Sequence, residues 1–196
     1  AKCVILCNEE PTHRVGARYL TAAAGMSARD VKANMQMARS LYEPVMTNIR
    51  IKEAGGRDMN WVESAVKKSE PDIVVLDMGD KFANKTGADS HVYLKDAAIH
   101  ARNIAKQYDC AVIWMSQLSA EAEGKIYVDQ SMLEGSKTGK AAECDLMVLI
   151  SKNPQVEGEY ESDTQRHLNV AKNKLKGGWH GVVHCQLDGE RARYSA

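Results

Sequence analysis

The 196-residue sequence predicts an α/β fold, in which a mainly parallel β-sheet is flanked by helices on both faces. Three observations predict this fold. Short apolar runs bounded by turn residues alternate with longer segments of helical spacing. Several of these runs end on polar side chains, which is typical of the carboxyl edge of an open sheet. The last part of the chain instead has the pattern of β-hairpins, which we expect to add antiparallel strands at one edge of the sheet.

The first seventy residues alternate between strands and helices. The run "CVILC" predicts a buried opening strand, and the helix that follows Pro11 is predicted to stop at Gly25. Ser27 and Asp30 form a capping box that predicts a helix to about Tyr42. A short strand in "NIRIKEAGG" and a helix in "NWVESAVKKSEPD" complete this part, since the proline ends the helix.

The remaining elements follow the same rules. "DIVVLD" and "CAVIWMSQ" predict buried strands, with a polar loop and a helix from about Val92 to Tyr108 between them. A second polar loop from Leu118 to Lys140 precedes the strand "CDLMVLI", and "VEGEYESD" predicts an acidic exposed turn. Three β-segments end the chain: "HLNVAKNKL", "WHGVVHCQL" and "RARYS".

Composition is that of one globular domain spanning residues 1–196. Lysine plus arginine and aspartate plus glutamate number 26 each, which excludes a strongly basic arm but not a local basic loop. We find no signal peptide and no apolar run of membrane-spanning length. The five cysteines form no CxxC pair and lie in or beside apolar runs, which indicates buried reduced thiols in a cytosol-like compartment.

Three predicted strands end on side chains that suit a nucleotide site. Asp77 could hold a Mg²⁺ beside phosphates, or it could cap the following turn. Gln117 could sense a γ-phosphate, or it could cap a loop. Glu9 could polarise an attacking water as a general base, whereas Glu9 and Glu10 could equally be first-turn carboxylates favoured by the helix dipole. The pattern of each strand alone does not separate these alternatives.

Two basic segments add candidates for phosphate binding. "LEGSKTGKAAE" is not a phosphate loop, because its glycines are one residue too close and it precedes a strand. It suits a flexible loop for a nucleic-acid backbone, or else a solvated turn; the candidate contacts are Gly135, Ser136, Lys137 and Lys140. In "VAKNKLKGG", alternate lysines at 172, 174 and 176 share one face of a strand, where they could guard an edge or reach a phosphate across a subunit interface.

The order of these segments resembles the RecA-like motor domain of DnaB-type replicative helicases, especially those encoded by phages. "CNEEP", "DIVVLD", "WMSQL", "GSKTGKAAECD" and "VAKNKLKGG" match its successive motifs. The resemblance implies that Glu9 is the catalytic glutamate, that Asp77 serves the magnesium and that Gln117 is the sensor. It further implies that Lys172 and Lys174 act on the neighbouring subunit's ATP, and that the residues around Lys137 and Lys140 contact DNA in a central channel.

Two departures from the family pattern stand out. The family usually has arginine where this chain has Lys174, and a lysine lacks the bidentate fork of a guanidinium. No GxxxxGK[ST] loop is present, although the family carries one just upstream of the strand that opens this chain. We therefore expect an incomplete P-loop NTPase core whose first strand and phosphate loop precede residue 1, and we expect apolar sheet surface to be exposed as a result.

The resemblance implies an ATP- and Mg²⁺-dependent helicase that translocates on single-stranded DNA. It would work as a homo-oligomeric ring, usually a hexamer, in the bacterial cytoplasm, with a primase or a helicase loader as candidate partners and no membrane association. Alternatives within the fold are a RecA-like recombinase and a clock-type ATPase. An alternative of another class is a non-hydrolysing RecA-like binding module.

Overall fold

The computed structural model describes residues 1–135, 137–152, 164–175 and 177–195. In the first half, strands and helices alternate much as predicted: β1 (Cys3–Cys7), α1 (Thr12–Ala24), α2 (Ala28–Ala33), α3 (Met35–Met46), β2 (Ile49–Glu53), α4 (Met59–Ser69) and β3 (Ile73–Asp77). The second half contains one long helix and most of the strands: α5 (Ser90–Gln107), β4 (Ala111–Trp114), α6 (Lys137–Glu143), β5 (Leu146–Lys152), β6 (Gln165–Asn173), β7 (Gly181–Asp188) and β8 (Arg193–Ser195).

The first four strands form a parallel sheet in the order β2-β1-β3-β4. One face packs on α4 and α5 through a large apolar cluster that includes Leu6, Val66 and Ile104. The other face packs on α1 through a smaller cluster around Ile5 and Val15. Because successive side chains of a strand point to opposite faces, a run that is buried throughout requires cover on both sides. The prediction of helices on both faces is confirmed.

The last four strands are antiparallel and form a sheet of their own, in the order β5-β6-β7-β8. The sequence predicted that these strands would extend one edge of the parallel sheet. Among the described residues, no ladder of hydrogen bonds joins β4 to β5. Hairpin sequence patterns specify local antiparallel pairing, but they carry no information about which distant strand lies beside them.

Two predicted boundaries need correction. The helix after Ser27 begins at the predicted cap, where the serine hydroxyl accepts from the Asp30 amide at 3.2 Å, but it breaks at Asn34 and resumes as α3. The predicted loop from Leu118 to Lys140 contains two 3₁₀ turns, Ala120–Ala122 and Gln130–Met132, and the start of α6. The predicted acidic turn "VEGEYESD" lies outside the described residues.

Large apolar side chains on β4, just after it and on β5 are exposed. The exposed fractions are 44–49% for Ile113, Met115, Leu146, Val148 and Ile150. No described helix is long and apolar enough to cross a membrane. All five cysteines are free thiols, which confirms that none forms a disulfide.

Candidate nucleotide site

The carboxyl ends of β1, β3 and β4 lie side by side. Cys7 is directly opposite Asp77 in the parallel register. The amide of Met115 donates to the carbonyl of Leu76 at 3.1 Å, which extends the ladder beyond β4. Because parallel strands end at the same edge of a sheet, the three strand-end candidates follow from this one edge: Glu9, Asp77 and Gln117.

Asp77 ends β3 and is partly buried beside Cys7. Burial of the Cys7 thiol, together with the negative charges of Asp77 and Glu53, raises its pKa to about 11. The thiol therefore stays neutral at physiological pH, and it donates a hydrogen bond to the Asp77 carboxylate. This contact leaves further lone pairs on the Asp77 carboxylate, since an ionised carboxylate can accept several bonds.

Asn8 brings a second oxygen to the same place. Its amide nitrogen donates to the carbonyl of Met78 at 2.9 Å, and its backbone N–H faces the Asp77 carbonyl at 3.4 Å. The side-chain oxygen of Asn8 is buried and has no hydrogen-bond partner among the described residues. A buried oxygen of this kind calls for a donor or a cation.

These donors fit Mg²⁺ that arrives with a nucleotide. Mg²⁺ usually takes one or two carboxylates and fills its remaining positions with phosphate oxygens and water. The described residues contain no cluster of three or more histidine, cysteine, aspartate or glutamate side chains that would form a closed metal site. Asp77 is the residue that would hold the ion, with the orphaned oxygen of Asn8 as the nearest additional acceptor.

The neighbouring carboxylates of Glu9 and Glu10 have separate partners. Glu9 accepts from the ammonium of Lys81 at 2.5 Å, and both side chains are partly exposed. Glu10 instead pairs with Arg18 on helix α1. The two alternatives that the sequence left open therefore divide between the two residues, because Glu10 is held by the helix while Glu9 faces the 3₁₀ turn Gly79–Lys81 that follows β3.

Gln117 lies beyond the end of β4 and its side chain is exposed. Its backbone carbonyl accepts from the amide of Glu134 at 3.1 Å, and the adjacent Leu118 forms an isolated antiparallel bridge with Leu133. The segment that contains Gln117 is thus fastened to the segment that leads into α6.

The predicted DNA-contacting set is only partly described. Gly135 has a left-handed φ of +73°, and a Cβ at this position would lie 2.5 Å from the Leu94 side chain. Ser136 lies outside the described residues, and Lys137 begins α6. The segment is therefore a tight glycine turn that leads into a helix, rather than the flexible loop that the sequence predicted.

The structure contradicts the DNA contact that was predicted for Lys140. Its ammonium is buried, with 7% of the side chain exposed. It donates to the Asp80 carboxylate at 2.8 Å, the Ser116 hydroxyl at 2.7 Å and the Glu134 carbonyl at 2.6 Å. An ammonium has three donors, so none is left for a phosphate. The periodicity of a glycine-rich segment did not reveal that its second lysine points into the protein.

The two lysines predicted to act on a neighbouring subunit have different environments. Lys172 on β6 donates to the carbonyls of Ala141 and Ala142 at the end of α6, and its pKa is lowered, mainly by burial. Lys174 follows the last residue of β6 and is exposed, so the predicted row of alternate lysines on one strand is wrong beyond Asn173. Lys176 lies outside the described residues.

Sequence reasoning missed Asp80. Its carboxylate accepts from the indole N–H of Trp114 at 2.9 Å, from the hydroxyl of Ser116 at 2.5 Å and from the ammonium of Lys140. One signal was present in the sequence, because Trp114 and Ser116 are two residues apart and point to the same side. Nothing in the local pattern identified the lysine 60 positions away.

Comparison with known proteins gives a family and a fold. A protein-family model described as an AAA domain matches residues 1–123, which is more than half of the chain. Comparison with curated protein sequences gives no match.

Two solved structures are similar over 98% of this chain. They are the ATPase domain of a phage helicase, with a TM-score of 0.84, and a DnaB-like replicative helicase described with its interactions with primase, with a TM-score of 0.82. Both are 18% identical in sequence, and the match covers 73% of the first chain and 50% of the second. The chain therefore belongs to the AAA domain family, and it has the RecA-like fold of a DnaB-type helicase motor domain.

Proposed function

We propose that the chain is the ATPase motor of a replicative DNA helicase, which hydrolyses ATP while it translocates on single-stranded DNA. The observation that supports this most directly is the shared carboxyl edge, where Glu9, Asp77 and Gln117 follow three strands of one parallel sheet. AAA family membership and the RecA-like fold are consistent with ATP as the substrate.

In this proposal each strand-end residue has one task. Glu9 takes up or polarises the proton of the attacking water. Asp77 holds Mg²⁺, which neutralises charge on the phosphates when it is bound. Gln117 contacts the γ-phosphate, and its fastened backbone carries the change to Glu134. Glu9 can act only after it separates from Lys81, so the paired arrangement corresponds to a resting state.

The basic residues supply contacts to other molecules. Lys174, which is exposed, is the cation that we propose to act on the nucleotide of a neighbouring subunit, with Lys172 supporting the segment from below. Gly135, Ser136 and Lys137 remain the proposed backbone contacts to single-stranded DNA, which are expected to be salt-sensitive and independent of sequence. Lys140 is no longer in this set.

Assembly and partners complete the proposal. A ring of subunits, usually six in helicases of this type, would place Lys174 beside the next nucleotide site. The DnaB-like helicase that shares the fold is described with primase, which makes a primase a reasonable candidate partner, alongside a helicase loader. The cytoplasm is the proposed compartment.

The first experiment compares two neighbouring carboxylates in the full-length protein. Glu9→Gln should abolish ATP turnover while leaving ATP binding intact, because the amide keeps the shape but cannot accept the proton. Glu10→Gln is the matched control, since Glu10 is held by Arg18, and it should hydrolyse ATP normally. Normal turnover in Glu9→Gln would remove this residue from catalysis. Absence of turnover in the wild type would favour a non-hydrolysing module.

A second experiment separates the rivals within the fold. A helicase unwinds a forked duplex with ATP, whereas a recombinase exchanges strands between homologous DNAs. Strand exchange without unwinding would overturn the helicase assignment while keeping the ATPase assignment.

A further inference from the structure

Lys140 is the most constrained cation of the described part of the chain. It belongs to α6, yet all three of its donors end on other segments: the 3₁₀ turn after β3, the segment after β4 and the carbonyl of Glu134. A buried ammonium is costly unless it is paired and fully hydrogen-bonded, and here both conditions are met. The position of α6 is therefore tied to the carboxyl edge of the sheet.

Asp80 is the shared acceptor of this network. Only 16% of its side chain is exposed, and its two oxygens accept three bonds, from Trp114, Ser116 and Lys140. Trp114 ends β4, and Ser116 directly precedes Gln117. The same carboxylate thus joins α6 to the strand end that carries the proposed sensor.

The next residue in the turn contacts the proposed base. Asp80 and Lys81 are adjacent in the 3₁₀ turn Gly79–Lys81, and Lys81 pairs with Glu9 at 2.5 Å. The turn has little freedom to move alone, because the ring of Trp114 packs so closely on Gly79 that a Cβ there would overlap it. A shift of α6 that pulls on Asp80 must therefore move the Lys81 ammonium relative to Glu9.

We infer that Asp80 and Lys140 are positioning residues that couple α6, and the proposed DNA contacts at its start, to Glu9 and Gln117 at the nucleotide site. This inference rests on the proposed function, since it needs both a nucleotide site and a DNA site. Neither residue touches the substrate. The ion pair instead links two elements so that binding at one site changes the binding free energy at the other.

The test measures coupling rather than activity. In the full-length protein, the affinity for fluorescein-labelled oligo(dT) is measured by anisotropy with and without a slowly hydrolysed ATP analogue. The ratio of the two dissociation constants is the coupling factor, which in coupled proteins is typically about 5–150. The test variant is Asp80→Asn with Lys140→Met, which removes both charges together and leaves no unpaired buried ion.

The matched control is a second lysine–aspartate pair. Asp58 and Lys85 are 3.0 Å apart on the surface, and Asp58→Asn with Lys85→Met keeps a residue that can cap α4. We expect the coupling factor to fall to within about twofold of one in the Asp80/Lys140 variant and to stay at the wild-type value in the control. A purely structural role would lower the melting temperature or both affinities but would leave their ratio unchanged.

Each outcome decides between proposals. A folded Asp80/Lys140 variant with the wild-type coupling factor overturns the inference, as does a wild type that binds both ligands with a factor of one. A wild type that binds neither ligand overturns the proposed function instead. If the double variant does not fold, Ser116→Ala replaces it, because this change removes one acceptor of Lys140 without altering charge. A reduced factor in Ser116→Ala supports the inference, and a factor equal to that of the control overturns it.

Discussion

The ammonium of Lys81 lies 2.5 Å from a carboxylate oxygen of Glu9, and this ion pair joins the turn after β3 to the end of β1. Both side chains are more than a third exposed, so the pair is worth only about 0.2–1 kcal/mol. It is strong enough to occupy Glu9 in the resting state and weak enough to be broken when a nucleotide binds.

Replacement of Lys81 should release Glu9. We expect Lys81→Met to raise the DNA-independent rate of ATP hydrolysis by about two- to fivefold, which corresponds to the free energy of an exposed pair. Steady-state phosphate release measures this rate, and Lys81→Arg should stay near the wild-type value because it keeps the charge. A lower rate in Lys81→Met than in the wild type would mean that Lys81 assists catalysis instead of restraining Glu9.

Lys172 and Lys174 should separate in mixed rings. We expect Lys174→Ala to lower ATP turnover at least about tenfold, since a cation that acts in trans stabilises charge in the transition state. Added wild-type subunits should restore activity in proportion to mixing, and failure to complement at any ratio would argue against action in trans.

Lys172→Ala serves as the internal comparison for that experiment. Its ammonium bonds to the carbonyls that end α6, so its loss should lower the free energy of unfolding by about 1 kcal/mol. Thermal melts distinguish this loss of stability from the loss of turnover that is expected for Lys174→Ala.

Gly79→Ala should destabilise the fold. A Cβ there would overlap the Trp114 ring, and relief of such crowding typically costs about 1–3 kcal/mol. Gly16→Ala in helix α1 is the control, because its Cβ would lie 3.9 Å from Ile51 and alanine favours the helix by about 0.5–1 kcal/mol. Urea unfolding measures both changes. Equal stability of Gly79→Ala and the wild type would show that the indole can move aside.

Glu63 should make stability depend on pH. A hydrogen bond from His100 at 2.7 Å, with a smaller contribution from Tyr108, lowers the pKa of Glu63 below its ordinary value of 4.5. A carboxyl whose pKa is lowered by folding stabilises the protein above its unfolded pKa, and this contribution is lost as the pH falls through the folded pKa. The contribution is therefore present at neutral pH and disappears in acid.

Urea unfolding at several pH values tests this dependence. Glu63→Gln should cost about 0.5–1 kcal/mol at pH 7, a value reduced because both side chains are about a third exposed. The difference from the wild type should shrink below pH 4.5. Glu190→Gln, at an exposed turn, should show no such trend, and a constant deficit for Glu63→Gln would assign the loss to packing.

Local sequence patterns were sufficient where the physics is local. The run "CVILC" predicted β1, the glycine at 25 predicted the end of α1, and the Ser27 cap predicted the start of α2. The strand-end rule also predicted that Glu9, Asp77 and Gln117 follow neighbouring strands. Each of these features depends on side-chain periodicity, caps or turns over a few residues.

The features that the sequence did not reveal depend on distant partners. Lys140 was expected to face a phosphate, but its environment is set by Asp80 and Ser116, which are 60 and 24 residues away. The break at Asn34 and the separate antiparallel sheet likewise depend on packing between elements. Periodicity describes which face of an element is apolar, and it does not say which distant group will meet it.

The indole of Trp114 donates its N–H to Asp80 and packs over Gly79, so it occupies the junction between the two proposed sites. The sequence has three tryptophans, and the other two, Trp61 and Trp179, lie on helix α4 and just before β7. Phenylalanine at both of those positions would leave one fluorophore whose emission depends on a single charged neighbour. The molecule thus contains its own optical reporter, with which stopped-flow spectroscopy could time the movement of the turn after nucleotide or DNA is added.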